Sequence, residues 1–458
     1  MTGIPNFESS KNTSISTFII TGEDGTTVDL RPAVAGFNYY ENILSATITA
    51  NAVFGDSGNT KIKKGETQTN LLTGLPVRGG ESIEISIEDS KKNKLKFLGD
   101  NKLYVNMTDS GNMNTQKAGY KLDFVPKEFL INEQTKLVAR YDGKISDSVT
   151  KILKFFDTKS YDIEETSNVY NFIANDHSPL YVLDWLSSKC IPTNVTPGTG
   201  AGFFFFQTSE GYKFKSVDGL LDISGKNIRK YRYSNTPGSV VDNMPGNYTR
   251  ILDYAINQNT NVQAKMQVGA YNSRILVFCP YTFKVDTIIN SAVSGSTSKG
   301  PQQALPTSQK QVDNVKTAGK KLDAISSKFL EKPTRLMSVI KDVGTLPKGS
   351  SPKEQLKNWK DKPEETNDKI EYTLAQSIMR FNQLFSNKIS ITVAGDLSLH
   401  AGDLLYCEFP ALSKGDTNAI NKETSGYYLI SGLCHSIGNT EFFTYLDLVR
   451  DSVGKKID

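Results

Sequence analysis

The chain has 458 residues, 38% hydrophobic and 22% charged, with a net charge of +4. That length fits roughly two to four domain cores of about 150 residues each, and the composition excludes global disorder. So small a charge does not by itself imply nucleic-acid binding; residues 290–370 hold fifteen Lys and Arg against nine Asp and Glu, which leaves the remainder slightly acidic. Twenty-three Phe and twenty Tyr, amid frequent Gly, Thr, Ser and Asn, favour pleated strands joined by tight turns. The first residues, MTGIPNFESS, show no secretory signal, and no run of about 18 apolar residues occurs, so no membrane insertion is expected. Cys190, Cys279, Cys407 and Cys434 are far apart in apolar surroundings and read as small buried hydrophobes, with neither disulfide nor metal spacing.

Taken in chain order, residues 15–30 read as two strands around Glu23-Asp24-Gly25, where Asp-Gly supplies the positive backbone angles of a hairpin. Residues 38–56 continue in extended form with Ile43, Ala46, Ile48, Ala50 and Ala52 alternating, then turn at 56–59. SIEISIE at 82–88 places Ile83, Ile85 and Ile87 on one face and Ser82, Glu84, Ser86 and Glu88 on the other. Short strands at 95–98, 103–106 and 120–124 complete a small antiparallel barrel or sandwich over residues 1–130.

A mixed α/β module follows over 131–198. Val149, Ile152, Leu153 and Phe156 form one helical stripe within 147–157, with Ser146 as a candidate cap. Ser178-Pro179 opens a second helix, Ser as cap and Pro in the first turn. Strands return at 199–289, beginning with GFFFFQT. Four consecutive Phe, 203–206, cannot lie on a half-wet face, so both sides of that strand must be covered, one by its own barrel core and one by a neighbouring domain or subunit.

Residues 290–369 read as a polar, Lys-rich, partly helical insertion, with Val312, Val315, Leu322, Ile325 and Phe329 at helical steps. Ile370, Leu374, Ile378, Phe381 and Phe385 predict a helix over 370–385. The strands resume over 370–458 at 388–394, 397–399, 404–410, 426–432 and 441–448. LPVRGGESIEI at 75–85 and LHAGDLLYCE at 399–408 share a glycine turn, an acidic residue and an alternating strand, a weak internal echo.

Catalytic chemistry is not signalled, and no catalytic, cofactor-binding or metal site is assigned. His177, His400 and His435 stand apart from any nucleophile motif, and His435 reads as a satisfied sheet residue. Asp403 follows a turn glycine, where its carboxylate binds nearby amides. The cluster at 198–202 has the glycines of a phosphate cradle but runs into a strand where the cradle needs a helix. In the insertion, acidic residues interleave with the lysines, which reads as a solvated surface.

The order of motifs resembles the central hub protein of contractile phage baseplates of the T-even type and its cyanophage relatives. The resemblance is carried by YENILS (40–45) before ATITANAVFGDS, LPVRGGESIEI, YDGKISD (141–147), SPLYVLDWL (178–186), GFFFFQTSEGYKFKSVDGL, AGDLSLHAGD (394–403), and GYYLISG (426–432) through LVRD (448–451). Residues 290–370 match nothing in that pattern. The resemblance implies a mainly β fold with α+β insertions: two tail-tube-like antiparallel β-barrel domains, the second from 199–289 and 370–458, plus a clamp-like α/β module. It implies a homotrimer whose six barrels ring a bore, adapting a hexameric tail tube to a trimeric central spike. Its other partners would be the tube or tube-initiator protein and inner baseplate proteins, with DNA only in transit. The location would be the virion tail baseplate, after assembly in the host cytoplasm. Two alternatives are a tail-associated envelope hydrolase, which needs a carboxylate pair in a cleft, and a glycan- or receptor-binding tail protein.

Overall fold

The structure is a computed structural model. It describes residues 13–56, 60–61, 68–69, 75, 77–113, 118–158, 160–193, 202–224, 226, 228–233, 249–256, 261–270, 272–280, 282–291, 321–322, 332–341, 351–361, 370–385, 387–411, 419–421, 423–438 and 441–453.

The N-terminal strands are β1 (Ser14–Thr21), β2 (Thr27–Asp29), β3 (Val34–Asn42), β4 (Thr49–Asp56), β5 (Thr60–Lys61), β6 (Gln68–Thr69), β7 (Ser82–Glu88), β8 (Lys94–Phe97), β9 (Leu103–Met113) and β10 (Ala118–Pro126). The β1–β2 hairpin forms as expected, with Gly25 at φ +77° and the Asp24 carboxylate accepting from the Thr26 amide. The extended run expected over 38–56 is instead two strands. Asn42 accepts the Leu44 amide at 2.8 Å and closes a turn that sends β4 back against β3. Most of the turn expected at 56–59 lies outside the described residues.

The hydrogen-bonded order β2-β1-β7-β9-β10-β4-β3 sets β1 and β3 five strand spacings apart, about 24 Å in a flat sheet. Yet Phe18 on β1 meets Phe37 on β3 at 5.8 Å, Phe54 on β4 at 5.7 Å and Phe124 on β10 at 6.4 Å between ring centroids. The sheet therefore curls around one aromatic plug, closing by packing as much as by hydrogen bonds.

The module comprises α1 (Lys127–Gln134), β11 (Arg140–Tyr141), α2 (Ile145–Leu153), β12 (Tyr161–Ile163), β13 (Phe172–Ile173) and α3 (Pro179–Ser187), followed by β14 (Phe203–Thr208), β15 (Gly211–Ser216) and α4 (Val217–Leu220). Val149, Ile152, Leu153 and Phe156 are buried as the stripe predicts. Ser146 is not the cap: the helix starts one residue earlier, and the Thr166 hydroxyl accepts the Ser146 amide at 3.1 Å. Ser178 does precede α3 with Pro179 in the first turn, while Asn132 accepts the Leu180 amide at 2.8 Å.

The phenylalanine strand overturns one expectation. β14 does not enter the second barrel; it pairs with β15, which pairs with β12, in a separate three-stranded sheet. Both faces are nonetheless covered, within this one chain. Phe203 and Phe205 pack among the module helices with Leu183, Leu186 and Phe214. Phe204 and Phe206 pack against Ile43, Leu384, Leu404 and Leu429. Period-two alternation sends alternate rings to two different cores.

The remaining elements are β16 (Arg229–Tyr233), β17 (Arg250–Ile256), α5 (Val262–Gln267), β18 (Asn272–Phe278), β19 (Val285–Ser291), β20 (Lys321–Leu322) and β21 (Arg335–Ile340). Then come α6 (Pro352–Asp361), α7 (Ile370–Leu384), β22 (Asn387–Ala394), β23 (Leu404–Glu408), β24 (Gly426–Gly438), β25 (Phe442–Arg450) and β26 (Ser452–Val453). Strands β24-β23-β16-β17-β22-β25 close on themselves through the β24–β25 pairing. The barrel is not wholly antiparallel, because β16 runs parallel to both β17 and β23. Residues 397–399, expected as a strand, form a turn.

One long strand joins the two β units. β24 pairs with β23 over Gly426–Leu429, then with β3 over Gly432–Gly438, keeping β25 on its other side. A register shift between Ile430 and Gly432 marks the handover. The result is one fourteen-stranded sheet with a shared core.

Of the insertion, β21 adds in parallel to β18 on the edge opposite β19, and α6 is helical. Leu322, expected on a helix, lies in β20 paired with β26; Val312, Val315, Ile325 and Phe329 lie outside the described residues. Helix α7 forms where its spacing predicts, but its most buried side is Thr373, Ser377, Arg380 and Leu384, whereas Phe381 is 42% exposed. Among the described residues no helix is long and apolar enough to cross a membrane.

Candidate functional site: the sheet wall and the junctions behind it

Because β3, β24 and β25 run in register across the join, their outward side chains form one continuous face. Asn38 and Tyr40 stand beside Ser436 and Cys434, which stand beside Phe443 and Tyr445. The row extends through Thr392 and Ser390 to Asp253 and Ala255 on one side. On the other it reaches Asn51 and Val53, then Asp123 and Lys121, then Met107 and Asp109. Across eight strands the charged members of these rows are Asp109, Asp123, Asp253 and Asp447 against Lys121. Lys121 lies 3.4 Å from Asp123, and the Ser390 hydroxyl donates to Asp447 at 2.8 Å. The wall is polar, aromatic and slightly acidic. A groove of about 320 Å³ crosses it between Tyr40, Cys434, Tyr445, Thr392, Asp253 and Asp447.

Behind the wall, three buried charged groups tie the units together. Glu41, at the end of β3, accepts from the Tyr39 hydroxyl at 2.8 Å, the Ser209 amide at 2.9 Å, the Ala401 amide at 2.8 Å and His400 Nδ1 at 3.2 Å. Burial opposes its charge, but the His400 hydrogen bond and charge, with the two amides, hold its carboxyl below the usual range. His400 is raised in turn: burial opposes its charge, and Glu41, Asp403 and Glu210 outweigh that.

Asp396, in the turn after β22, takes Lys91 Nζ at 2.9 Å from the β7–β8 turn and Arg229 Nη1 at 3.1 Å from β16. It also takes the Ser398 amide at 3.1 Å and the Ser398 hydroxyl. Burial works against this carboxylate too, and Lys91, Ser398 and Arg229 hold it low. Asp89 accepts the Leu397 amide at 3.1 Å, a second tie between the same two turns.

Arg380, 1% exposed on α7, donates Nη1 to Asp451 at 3.0 Å and Nη2 to Asp218 at 2.9 Å. It joins the helix to the end of β25 and to α4 of the module.

The histidines end apart. His177 meets Tyr181 at 4.7 Å on the module. His435, 1% exposed, sits 2.9 Å from Thr444 Oγ1, as a satisfied sheet residue should. Asp403 accepts the His400 amide at 3.0 Å, the ordinary turn role. Glu81 does the same for Arg78 at 2.7 Å, so the two echoed segments share an acidic residue closing a turn three residues back. The four cysteines are thiols; Cys190, Cys279 and Cys407 are buried and Cys434 is half-buried. Of the cluster at 198–202, only Gly202 lies among the described residues, and β14 follows it directly. No three His, Cys, Asp or Glu among the described residues group to hold a metal ion. Sequence reasoning missed Glu41 and Arg380; the one signal available was a charged residue interrupting an apolar period.

No protein-family model matches the sequence, and no curated protein sequence does either. The fold has solved counterparts. A tail protein from Neisseria meningitidis MC58 aligns over 97% of this chain and 98% of its own, at 10% identity and a TM-score of 0.50. The 43 kDa tail protein of prophage MuSo2 from Shewanella oneidensis aligns over 95% and 98%, at 9% identity and 0.49. The c3393 protein of E. coli, described as a type VI secretion component similar to T4 tail proteins gp27 and gp5, aligns over 97% and 79%, at 10% identity and 0.40. The Neisseria protein thus shares this mainly β fold along nearly the full length of both chains.

Proposed function

We propose that this chain is a structural component of a phage tail, the central hub of its baseplate. Three copies, each with two β units, close a pseudo-sixfold ring that meets the hexameric tube or its initiator above and a trimeric spike below. Inner baseplate proteins hold its rim, and the ejected genome crosses its bore.

The observation that carries this reading is the eight-strand wall. Non-specific DNA binding is driven by Lys and Arg neutralising phosphates and releasing counterions. A bore lined by Asn, Ser, Thr and Tyr with a slight acidic excess offers DNA few such contacts, so a strand can slide through. The edge-to-edge join of two β units through β24 supports the ring: it sets two wall segments side by side in each copy, as a threefold-to-sixfold adaptor requires. The polar junctions serve it as well, since they fix the angle between the units. The role needs no catalytic pair.

Light scattering on the purified chain, alone and with the cognate spike, tests the reading. A mass of three copies, or three copies plus one spike trimer, is expected. Monomer at every concentration with and without spike would overturn it, as would glycan hydrolysis by the isolated chain.

A further inference from the structure

The turn of the β14–β15 hairpin, Ser209-Glu210, touches both β units. Its Ser209 amide donates to Glu41 on β3. Its Glu210 carboxylate lies 3.7 Å from His400 Nε2, and His400 Nδ1 lies 3.2 Å from Glu41. His400 thus stands between two carboxylates, one fixed in the sheet and one carried by the hairpin. A third, Asp403, accepts the His400 amide. The other charged or titratable groups facing this cluster are few. Tyr39 donates its hydroxyl to Glu41; Lys213 on β15 pairs with Glu210 at 3.0 Å; Arg229 acts on Asp403 from β16. Buried His435 on β24 is pushed down to about 4 by desolvation and is neutral.

We propose that His400 is a proton-operated latch: protonated, it ties the Ser209-Glu210 turn to the sheets through Glu41 and Glu210; neutral, it lets that turn loosen. Without the imidazolium, Glu41, Asp403 and Glu210 face one another with only Lys213 to offset Glu210, and Glu210 sits on an exposed hairpin turn rather than in the sheet. The sign follows from His400 being raised above its ordinary 6.5 by its carboxylate partners, against burial. A raised base gives stability that is whole below 6.5 and lost as pH rises through the folded-state value. The latch is closed in acid and opens as pH rises through that folded-state value. The inference stands apart from the proposed tail role, because it concerns one chain's own packing.

The test is hydrogen exchange of the full-length chain from about pH 6 to about pH 9, corrected for intrinsic rates. Peptides covering 203–216 are compared with a β25 peptide, in wild type and in His400→Gln. In parallel, carbon-13 NMR follows the His400 imidazole. Wild type should lose about fivefold protection in 203–216 relative to β25, the size of a modest ion pair, with the midpoint tracking the imidazole titration. His400→Gln should show no such loss with pH. An equal pH-dependent loss in His400→Gln, no loss in wild type, or a midpoint displaced from the imidazole titration each overturns the latch. The wild-type comparison stands even where the variant does not fold.

Discussion

At Arg380 the chain commits a permanent charge to a fully buried position, and two aspartates from different units answer it. Arg380→Ala removes the guanidinium that buried Asp218 and Asp451 share, so a loss of about 3–5 kcal/mol is expected in denaturant unfolding. His435 makes the matching prediction in pH. Desolvation lowers it to about 4 from 6.5, so in the folded chain it stays neutral where the unfolded chain takes a proton. The unfolded state binds more protons between those values, so stability falls as pH drops from 6.5 toward 4. The loss should reach about 3 kcal/mol. Urea midpoints of wild type and His435→Gln across that range check it: the variant should lack this component of the acid slope.

At the scale of elements, the phenylalanine strand was half legible. Four adjacent rings require two covered faces, and β14 has them; the pairing partner was not legible. Strand pairing depends on which turn returns the chain, and the Ser209-Glu210 turn folds β15 straight back, so the run joins the module and only leans on the barrel. Phe206→Ala should cost about 3–5 kcal/mol. Its ring also fills the space above Gly402, where an added Cβ would lie 2.8 Å from Phe206 Cζ. Thermal unfolding should show Phe206→Ala clearly below wild type in Tm. The alternating SIEISIE strand and the 370–385 helix were readable because each has a clean period. The face α7 buries was not, because Asp218 on α4 and Asp451 just after β25 draw the charged Arg380 into the buried side, and a period of apolar residues cannot announce those partners. The same holds for Glu41: nothing local to YENILS foretells donors from residues 209 and 400–401.

At the scale of the whole molecule, the proposed role makes the outward face of the shared sheet a wall suited to what it does not bind. Placing lysines there should reverse that property. In assembled rings, Thr392→Lys with Ser436→Lys should produce DNA retention that falls steeply with added salt, while wild type shows little retention at the same salt. Retention unchanged by the lysines would mean that the face does not meet DNA. The most direct measurement is an electron-microscopy reconstruction of the chain bound to its spike. The account predicts three copies around an axis, with Tyr40, Ser436, Tyr445 and Thr392 lining the bore. The same four residues on the outer circumference, or covered by protein in a particle without threefold symmetry, would contradict it.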